Sequence, residues 1–319
     1  MPTIRLIAPS GYPHDAQAMQ RGVKRLRAAG CTVEGLAVLE RQEGRFAGAD
    51  AERAADLAAL AEPPAPDIAL AIRGGYGATR LLERLDLSAL GRRLAEVGTL
   101  LVGHSDFTAL QLALYARSGL VTYAGPMLGA DFGAQTPSPF TWTHFWATIS
   151  QPEVALAWPT RADTPPVRTE GTLWGGNLAM LCSLLGTDYF PRIDGGLLFV
   201  EDVGEPPYRV ERLLYQLHLS GVLRRQRALL IGRFSNCRPT PYDAGYDLDA
   251  VIGQLRRICG VPVVEGLPFG HEADKFTLPF GTPAWLVVED GTARLGFAGH
   301  PRLASPWRPE PVGIVAARC

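Results

Sequence analysis

Ser105 is the candidate nucleophile of this sequence. It lies in the segment Gly103–Asp106, directly after the apolar run Leu100–Val102 and before a predicted helix. A serine at such a strand-to-helix turn is exposed, and the first N–H groups of the helix face the negative charge that develops on a substrate carbonyl. The backbone N–H of Asp106 would be one donor to that charge. The position also suits a helix N-cap, a role that serine favours, so the local sequence leaves both interpretations open.

A second candidate element is the glycine-rich turn Arg73–Gly77, which also follows an apolar run. Its glycines allow a ligand or another chain segment to approach the backbone closely. The turn matches neither G-x-G-x-x-G nor G-x-x-x-x-G-K-[ST], so it indicates a nucleotide site only weakly. It could instead supply the second N–H of an oxyanion hole, or be a tight turn without a ligand.

An acid and a base are available further along the chain. Glu201 and Asp202 close the apolar run Leu197–Val200, where a carboxylate is well placed to orient a histidine. The alternative for both acids is simple solvent exposure at a strand end. His271 lies in a loop, and histidine is the usual general base near neutral pH, although an isolated loop histidine is often only a surface residue. His104 is the competing base, but adjacent residues on a turn usually point apart.

Alternating apolar strands and amphipathic helices are predicted to position these residues. The first of them are a strand at Ile4–Ala8, a helix at Asp15–Ala29 and a later strand at Asp67–Ile72. This rhythm predicts a parallel sheet with helices on both faces. Ligands of such sheets bind at the carboxyl ends of the strands, where the turns Arg73–Gly77 and Gly103–Asp106 both fall.

The sequence predicts an α/β protein of two domains. Residues 1–128 are predicted to form an N-terminal parallel-sheet domain, Rossmann-like or flavodoxin-like, that holds Ser105. Residues 129–166, which are rich in proline, predict a linker. Residues 167–319 are predicted to form a C-terminal mixed α/β domain that holds the acid and the loop histidine.

Composition excludes several classes of function. The 319 residues include 31 Lys+Arg and 32 Asp+Glu, a net charge of −1 that argues against a nucleic-acid partner. No apolar run reaches the roughly 18 residues of a membrane span, and the first residues do not resemble a secretory signal, so no membrane partner is expected. The five cysteines and six histidines do not cluster. We therefore expect no disulfide framework, no metal and a cytoplasmic location.

Eight groups of residues, in order, resemble the motifs of the LD-carboxypeptidases, a family of serine peptidases that also holds the microcin C immunity proteins. They are Ala8–Gly11, Ala47–Leu57, Arg73–Gly77 with Arg80–Leu82, Gly103–Asp106, Gly125–Met127, Gly175–Leu178, Glu201–Val203 with Pro207–Arg209 and Arg212, and Gly270–His271 with Leu278–Pro279 and Gly281. Each motif alone is only weakly specific for the family, but the occurrence of all eight in the same order makes a chance match implausible. One departure is His104, where an aromatic residue is expected.

The resemblance implies a Ser–His–Glu triad of Ser105, His271 and Glu201. It also implies that the backbone N–H groups of Gly75 and Asp106 form the oxyanion hole. The family is typically dimeric, cytoplasmic and free of metals and cofactors. Its usual substrate is a murein tetrapeptide, from which the terminal D-alanine is removed by hydrolysis of an L,D bond through an acyl-enzyme.

Several points stay open at this stage. The free carboxylate of such a substrate needs a cationic or N–H-rich partner, for which Arg73 and Arg80 are the candidates. A microcin C-type immunity peptidase, cleaving a peptide–nucleotide or acyl-nucleotide, is one alternative function. A general α/β-hydrolase esterase is another, but Phe107 stands where its nucleophile motif has glycine. A non-catalytic protein that binds a nucleotide or sugar phosphate through Arg73–Gly77 and Ser10–Gly11 is the third.

Overall fold

The structure, a computed structural model, describes residues 1–311 of the chain. Residues 312–319, which include Cys319 and the end of the predicted C-terminal domain, lie outside the described residues. The helices are α1 (Ala16–Ala28), α2 (Asp50–Ala58), α3 (Leu87–Val97), α4 (Thr108–Ser118), α5 (Pro139–Ser150), α6 (Leu178–Leu184), α7 (Pro207–Leu219) and α8 (Leu248–Ile258). The strands are β1 (Thr3–Ile7), β2 (Thr32–Glu34), β3 (Ile68–Ala71), β4 (Leu100–Gly103), β5 (Thr122–Ala124), β6 (Glu153–Pro159), β7 (Val167–Asn177), β8 (Leu197–Val203), β9 (Ala228–Ser235), β10 (Val263–Val264), β11 (Leu278–Phe280), β12 (Thr282–Glu289) and β13 (Thr292–Ala298).

Local sequence signals set the helix boundaries. Helix α1 begins after Asp15, whose carboxylate accepts the N–H of Ala18 at 2.8 Å. Its buried face includes Met19 and Leu26, which recur at helical spacing. The predicted helix is thus observed with nearly the same bounds, and its apolar face packs on the first sheet.

The first sheet has the strand order β11-β5-β4-β3-β1-β2. Strands β1 to β5 run parallel, and β11 adds an antiparallel edge strand beside β5. Strands β3 and β4 are buried along their whole length, as expected where helices cover both faces. The prediction of an N-terminal parallel α/β sheet is confirmed.

The second sheet is mixed and has the order β10-β9-β8-β7-β12-β13-β6. Strands β7 to β10 pair in parallel, whereas β12 pairs antiparallel with both β7 and β13, and β13 with β6. Buried and exposed residues alternate along β6, so this part of the sheet has one face on the core and one in water. The prediction of a C-terminal mixed α/β unit is confirmed.

Residues 129–166, predicted as a linker, contain regular structure that belongs to both sheets. Helix α5 packs in the hydrophobic core beside the first sheet, with residues of β1, β3 and β4. Strand β6 forms an edge of the second sheet. The prolines that suggested a linker mark the ends of elements instead. Pro139 begins α5 behind Ser138, whose hydroxyl accepts the N–H of Thr141, and Pro152 follows the helix.

The chain also crosses back from the second sheet to the first. Strand β11 returns to the edge of the first sheet before β12 rejoins the second. Near the end of the described chain, the Tyr123 hydroxyl donates to the carbonyl of Pro301, and Ser150 donates to the carbonyl of Trp307 at 2.9 Å. These crossings hold the two sheets against each other and fix the cleft between them.

Candidate active site

Ser105 occupies the turn between β4 and α4 with a left-handed backbone, φ 65°. This conformation is uncommon for a residue with a side chain, and strain of this kind recurs at functional sites. The buried strand β4 fixes one side of the turn, and a 3-10 helix over Ser105–Phe107 fixes the other. The serine is therefore held on a sharp strand-to-helix bend that presents its hydroxyl to the cleft.

The structure brings together the three residues of the predicted triad. His271 Nε2 lies 2.9 Å from Ser105 Oγ, and His271 Nδ1 lies 2.7 Å from Glu201 Oε2. Glu201 is fully buried at the end of β8, and its other carboxylate oxygen accepts from Asn177 Nδ2 at 3.3 Å. A buried carboxylate with this placement can hold the imidazole orientation and stabilise its protonated form.

The side chain of Asp202, next to Glu201, points away from His271 and towards the start of α6. Its carboxylate accepts the backbone N–H groups of Ala179 and Val203, at 2.9 and 2.8 Å, and the side-chain amide of Asn177 at 2.9 Å. These bonds tie it to the first turn of α6. Glu201 is therefore the acid that faces the histidine, a choice that the sequence pattern did not make without the resemblance.

The surroundings of His271 act on its charge in opposite directions. Burial of the ring favours the neutral form, whereas the hydrogen bond and the negative charge of Glu201 favour the cation. The carboxylate outweighs burial, so the pKa of His271 is raised above its ordinary value. The raised pKa means that the ring binds a proton more readily than a free imidazole does.

The glycine turn after β3 packs directly against Ser105. A Cβ at Gly74 would lie 2.9 Å from Ser105 Oγ, so only glycine allows this approach. Gly75 follows with φ 113°, which also favours glycine. Its N–H has no hydrogen-bond partner within residues 1–311. Asp106 stands at the start of a helical turn, where N–H groups lack intrahelical partners.

A pocket of about 450 Å³ opens in front of the serine and the histidine. Its lining residues come from both sheets and include apolar and cationic side chains: His14, Asp15, Ala18, Met19, Arg73, Gly74, Gly75, Ser105, Met127, Gly129, Ala130, Val203 and His271. The pocket is large enough for a small peptide terminus. The reacting atoms therefore lie at the wall of a cleft rather than in a closed core.

Arg73 is the cation fixed at this pocket. Its Nε donates to Gly74 O at 3.2 Å and its Nη1 to Tyr12 O at 3.1 Å, and Nη1 also contacts His14 Nδ1. No carboxylate of the described chain lies within ion-pair distance of it, and burial lowers its pKa. Its Nη2 lies 3.4 Å from the position that a Cβ on Gly75 would take.

Arg80, the other candidate for a carboxylate partner, is already engaged. Its Nε donates to Asp50 Oδ2 at 2.9 Å, and its guanidinium stacks 4.6 Å over the ring of Phe46. It does not line the pocket in front of Ser105. Of the two arginines, only Arg73 faces the reacting groups.

Two family models match this chain in the order of its two sheets. The LD-carboxypeptidase N-terminal domain matches residues 4–125, and the LD-carboxypeptidase C-terminal domain matches residues 170–286. The chain belongs to the LD-carboxypeptidase family.

Individual relatives cover nearly the whole length of this LD-carboxypeptidase. A putative carboxypeptidase of Streptomyces coelicolor is 40% identical over 95% of each chain. The crystal structure of muramoyltetrapeptide carboxypeptidase from Oxalobacter formigenes is 45% identical, with a TM-score of 0.87 over 94% of this chain and 99% of that one. A more distant relative is the microcin C7 self-immunity protein of Escherichia coli, 26% identical over 82% of this chain and 83% of its own.

His104, the departure from the family pattern, is buried beside His271. Its Nδ1 lies 2.8 Å from Gly125 O, and its ring meets that of His271 edge-on at 5.2 Å between centroids. Burial, followed by the charges of Lys275 and His271, holds the pKa of His104 well below its ordinary value. The residue therefore packs as a neutral aromatic ring.

The sequence indicates a role for the backbone N–H of Asp106 but none for its carboxylate, which the structure shows to be a structural link. Its Oδ2 accepts from the Ser10 hydroxyl at 2.6 Å and from the Ala78 N–H at 2.9 Å. Asp106 thereby joins the turns that follow β1, β3 and β4. The adjacency to Ser105 was the available signal, but its partners lie far away in sequence.

Within residues 1–311, no group of three or more His, Cys, Asp or Glu side chains is arranged to hold a metal ion. No helix in the same range is long and apolar enough to cross a membrane.

Proposed function

We propose that this LD-carboxypeptidase is a serine peptidase that releases the terminal D-alanine from a murein-derived tetrapeptide. The observation that supports this most directly is the hydrogen-bonded series Ser105–His271–Glu201 at the wall of a pocket that also contains Arg73. The match to a muramoyltetrapeptide carboxypeptidase over almost the full chain supports the substrate class.

The first chemical step is attack by Ser105 on the carbonyl of the L,D bond. His271 Nε2 takes the hydroxyl proton as the new C–O bond forms. The carbonyl oxygen becomes negatively charged, and the N–H groups of Gly75 and Asp106 are the donors proposed to stabilise it. Glu201 stabilises the imidazolium that forms at the same time.

The second step breaks the L,D bond. His271 gives its proton to the nitrogen of the departing D-alanine, and Ser105 remains esterified to the rest of the peptide. Water then attacks this acyl-enzyme, with His271 taking the water proton and returning it to Ser105. The products are D-alanine and a tripeptide with a new carboxylate, and the residues return to their starting states.

Recognition of the substrate terminus is assigned to Arg73. Its guanidinium is held by the backbone carbonyls of Gly74 and Tyr12, so little further ordering is needed when a carboxylate binds. A charge-assisted hydrogen bond to the terminal carboxylate would place the adjacent L,D bond at Ser105. This makes the enzyme a carboxypeptidase rather than an endopeptidase.

The proposal is tested with a murein tetrapeptide and the same peptide bearing a C-terminal amide, with product masses as the measurement. We expect release of D-alanine from the free acid, without added metal. The amide should react more slowly by roughly 10- to 100-fold, because the carboxylate partner is left unpaired. Equal rates on both peptides would contradict the terminal-carboxylate assignment.

A second candidate function is hydrolysis of an aminoacyl-nucleotide or peptide–nucleotide of the microcin C type. The match to a microcin C7 self-immunity protein favours it, although the identity is lower. An aminoacyl sulfamoyl adenosine should be included in the same assay. A higher kcat/KM on that compound than on the tetrapeptide would favour the second candidate.

We further propose that the enzyme acts as a cytoplasmic homodimer. The supporting observations are the family resemblance and the unpaired state of Cys31, Cys182, Cys237 and Cys259, which suits a reducing compartment. Light scattering of the purified protein and fractionation of its host test the two parts separately. A monomer at micromolar concentration would contradict the first part.

A further inference from the structure

His271 lies on a segment without regular secondary structure, Gly270–Phe276, which we call the histidine strap. Ser235 of β9 donates to the carboxylate of Glu272 in this strap, but its other anchors come from the segment that includes Asp131 and α5. The Thr141 hydroxyl donates to Ala273 O at 2.6 Å and accepts the N–H of Lys275 at 2.9 Å. One hydroxyl thus holds the strap at two points.

A buried ion pair is the second anchor. Lys275 Nζ contacts Asp131 Oδ1, and the two residues are only 2% and 8% exposed. Burial of two charges is costly, and apolar residues of similar volume often serve stability equally well or better. Stability alone therefore does not account for a charged pair at this position.

The same pair reaches the wall of the substrate pocket. The other oxygen of Asp131 accepts the N–H of Met127 at 2.7 Å. Met127, Gly129 and Ala130 line the pocket in front of Ser105. The carboxylate thereby connects the strap that bears His271 to the surface on which the substrate lies.

We propose that Lys275 and Asp131 are positioning residues, which together with Thr141 hold His271 Nε2 at hydrogen-bond distance from Ser105. The inference rests on the proposed function. The strap has no helix or strand to fix it, so its side-chain anchors set where the imidazole stands. A displacement of about 1 Å at a reacting group costs on the order of 100-fold in rate.

The test is the double substitution Lys275→Met with Asp131→Asn, assayed on the murein tetrapeptide. It removes both charges, so neither remains buried without a partner, and the asparagine oxygen still accepts the Met127 N–H. We expect a folded protein whose kcat falls on the order of 100-fold with KM unchanged. His271 acts on the reaction and not on binding of the substrate, so its displacement should lower kcat alone. Lys24→Met, an exposed lysine on α1, is the matched control and should keep the wild-type kcat.

A folded double variant with wild-type kcat would overturn the inference. If its KM were raised as well, the pair would shape the substrate pocket and would not position His271. If the double variant does not fold, Thr141→Val decides: a lowered kcat at unchanged KM supports the inference, and an unchanged kcat overturns it.

A second readout separates this inference from the proposed substrate. A fluorophosphonate reacts covalently with a histidine-activated serine whatever the natural substrate is. The rate of labelling of Ser105 should fall in the double variant and stay unchanged in Lys24→Met. If the wild-type protein releases no D-alanine but the labelling rate falls as expected, the proposed function fails and the positioning role stands.

Discussion

Ser105 Oγ and His271 Nε2 lie 2.9 Å apart although 166 positions separate the two residues in the chain. The serine stands at the end of β4 in the first sheet. The histidine stands on the strap between β10 of the second sheet and β11 of the first. The hydrogen bond between them therefore exists only when the two sheets are packed together.

Ser105→Ala should abolish the release of D-alanine without unfolding the protein. Loss of a triad nucleophile lowers kcat on the order of 10⁴-fold or more. Alanine removes only the hydroxyl, so the melting temperature should stay close to that of the wild type. Ser183→Ala, at an exposed serine on α6, is the control and should be fully active. Retention of more than about a tenth of the wild-type kcat would exclude Ser105 as the nucleophile.

Glu201→Gln should lower kcat sharply, by up to about 10⁴-fold, because the ring of His271 loses the charge that orients it and stabilises its cation. Glu205→Gln, in the loop after β8 where Glu205 pairs with Arg209, should be nearly silent. Asp202→Asn should lower the melting temperature more than kcat, since Asp202 binds the start of α6. Kinetics and thermal unfolding of the three variants check this order. A silent Glu201→Gln would exclude the proposed triad.

The pH dependence of kcat/KM should reflect His271. The neutral imidazole is the base, so activity rises as pH increases through its pKa. Because the raised pKa of His271 lies above the ordinary value of about 6.5, the midpoint should lie above that value too. In Glu201→Gln the carboxylate no longer favours the cation, so the midpoint of the residual activity should move to lower pH. A shift to higher pH would contradict this account.

His104→Phe should leave kcat and the pH profile nearly unchanged. Burial keeps His104 neutral across the working range, so it adds no ionisation of its own, and phenylalanine keeps an aromatic ring against His271. The measurement is the pH profile of the variant beside the wild type. Disappearance of an ionisation near neutral pH in His104→Phe would show that this residue takes part in proton transfer.

Arg73→Gln should lower kcat/KM on the free-acid tetrapeptide by roughly 10- to 100-fold, the usual worth of a charged hydrogen bond. The same change should have little effect on the amidated peptide, which has no carboxylate to bind. Arg80→Gln should affect the melting temperature through its contact with Asp50 rather than the choice of substrate. Equal losses on both peptides in Arg73→Gln would argue against carboxylate recognition.

Local patterns predicted the elements around Ser105 well. The alternation of apolar runs and amphipathic helices is a short-range signal, and strands β1 to β5 pair in parallel as it implies. The triad residues followed from the motifs and their resemblance to a family. The proximity of Ser105, His271 and Glu201 in the candidate site was therefore predictable from residue type, motif order and the resemblance.

Other features depend on distant partners that no local pattern contains. The pairing of β11 with β5 joins segments from opposite parts of the chain. Arg73 is preferred over Arg80 because Asp50 lies close enough to bind Arg80. The Asp106 carboxylate has its role because Ser10 and Ala78 lie next to it in the fold. The prolines of residues 129–166 predict a linker from sequence, because a proline that begins a helix and one that interrupts it look alike there.

Strand β11 also bears on how a newly made chain becomes an enzyme. Synthesis proceeds from the N-terminus, and the early segments begin to fold before the later ones emerge. The turn with Ser105 is thus present for most of synthesis while the edge beside β5 is still open and no imidazole faces the serine. The segment that closes this edge directly follows the histidine strap. A growing chain that ends before His271 lacks both the proposed base and the strand that closes the first sheet, so it should not hydrolyse peptides.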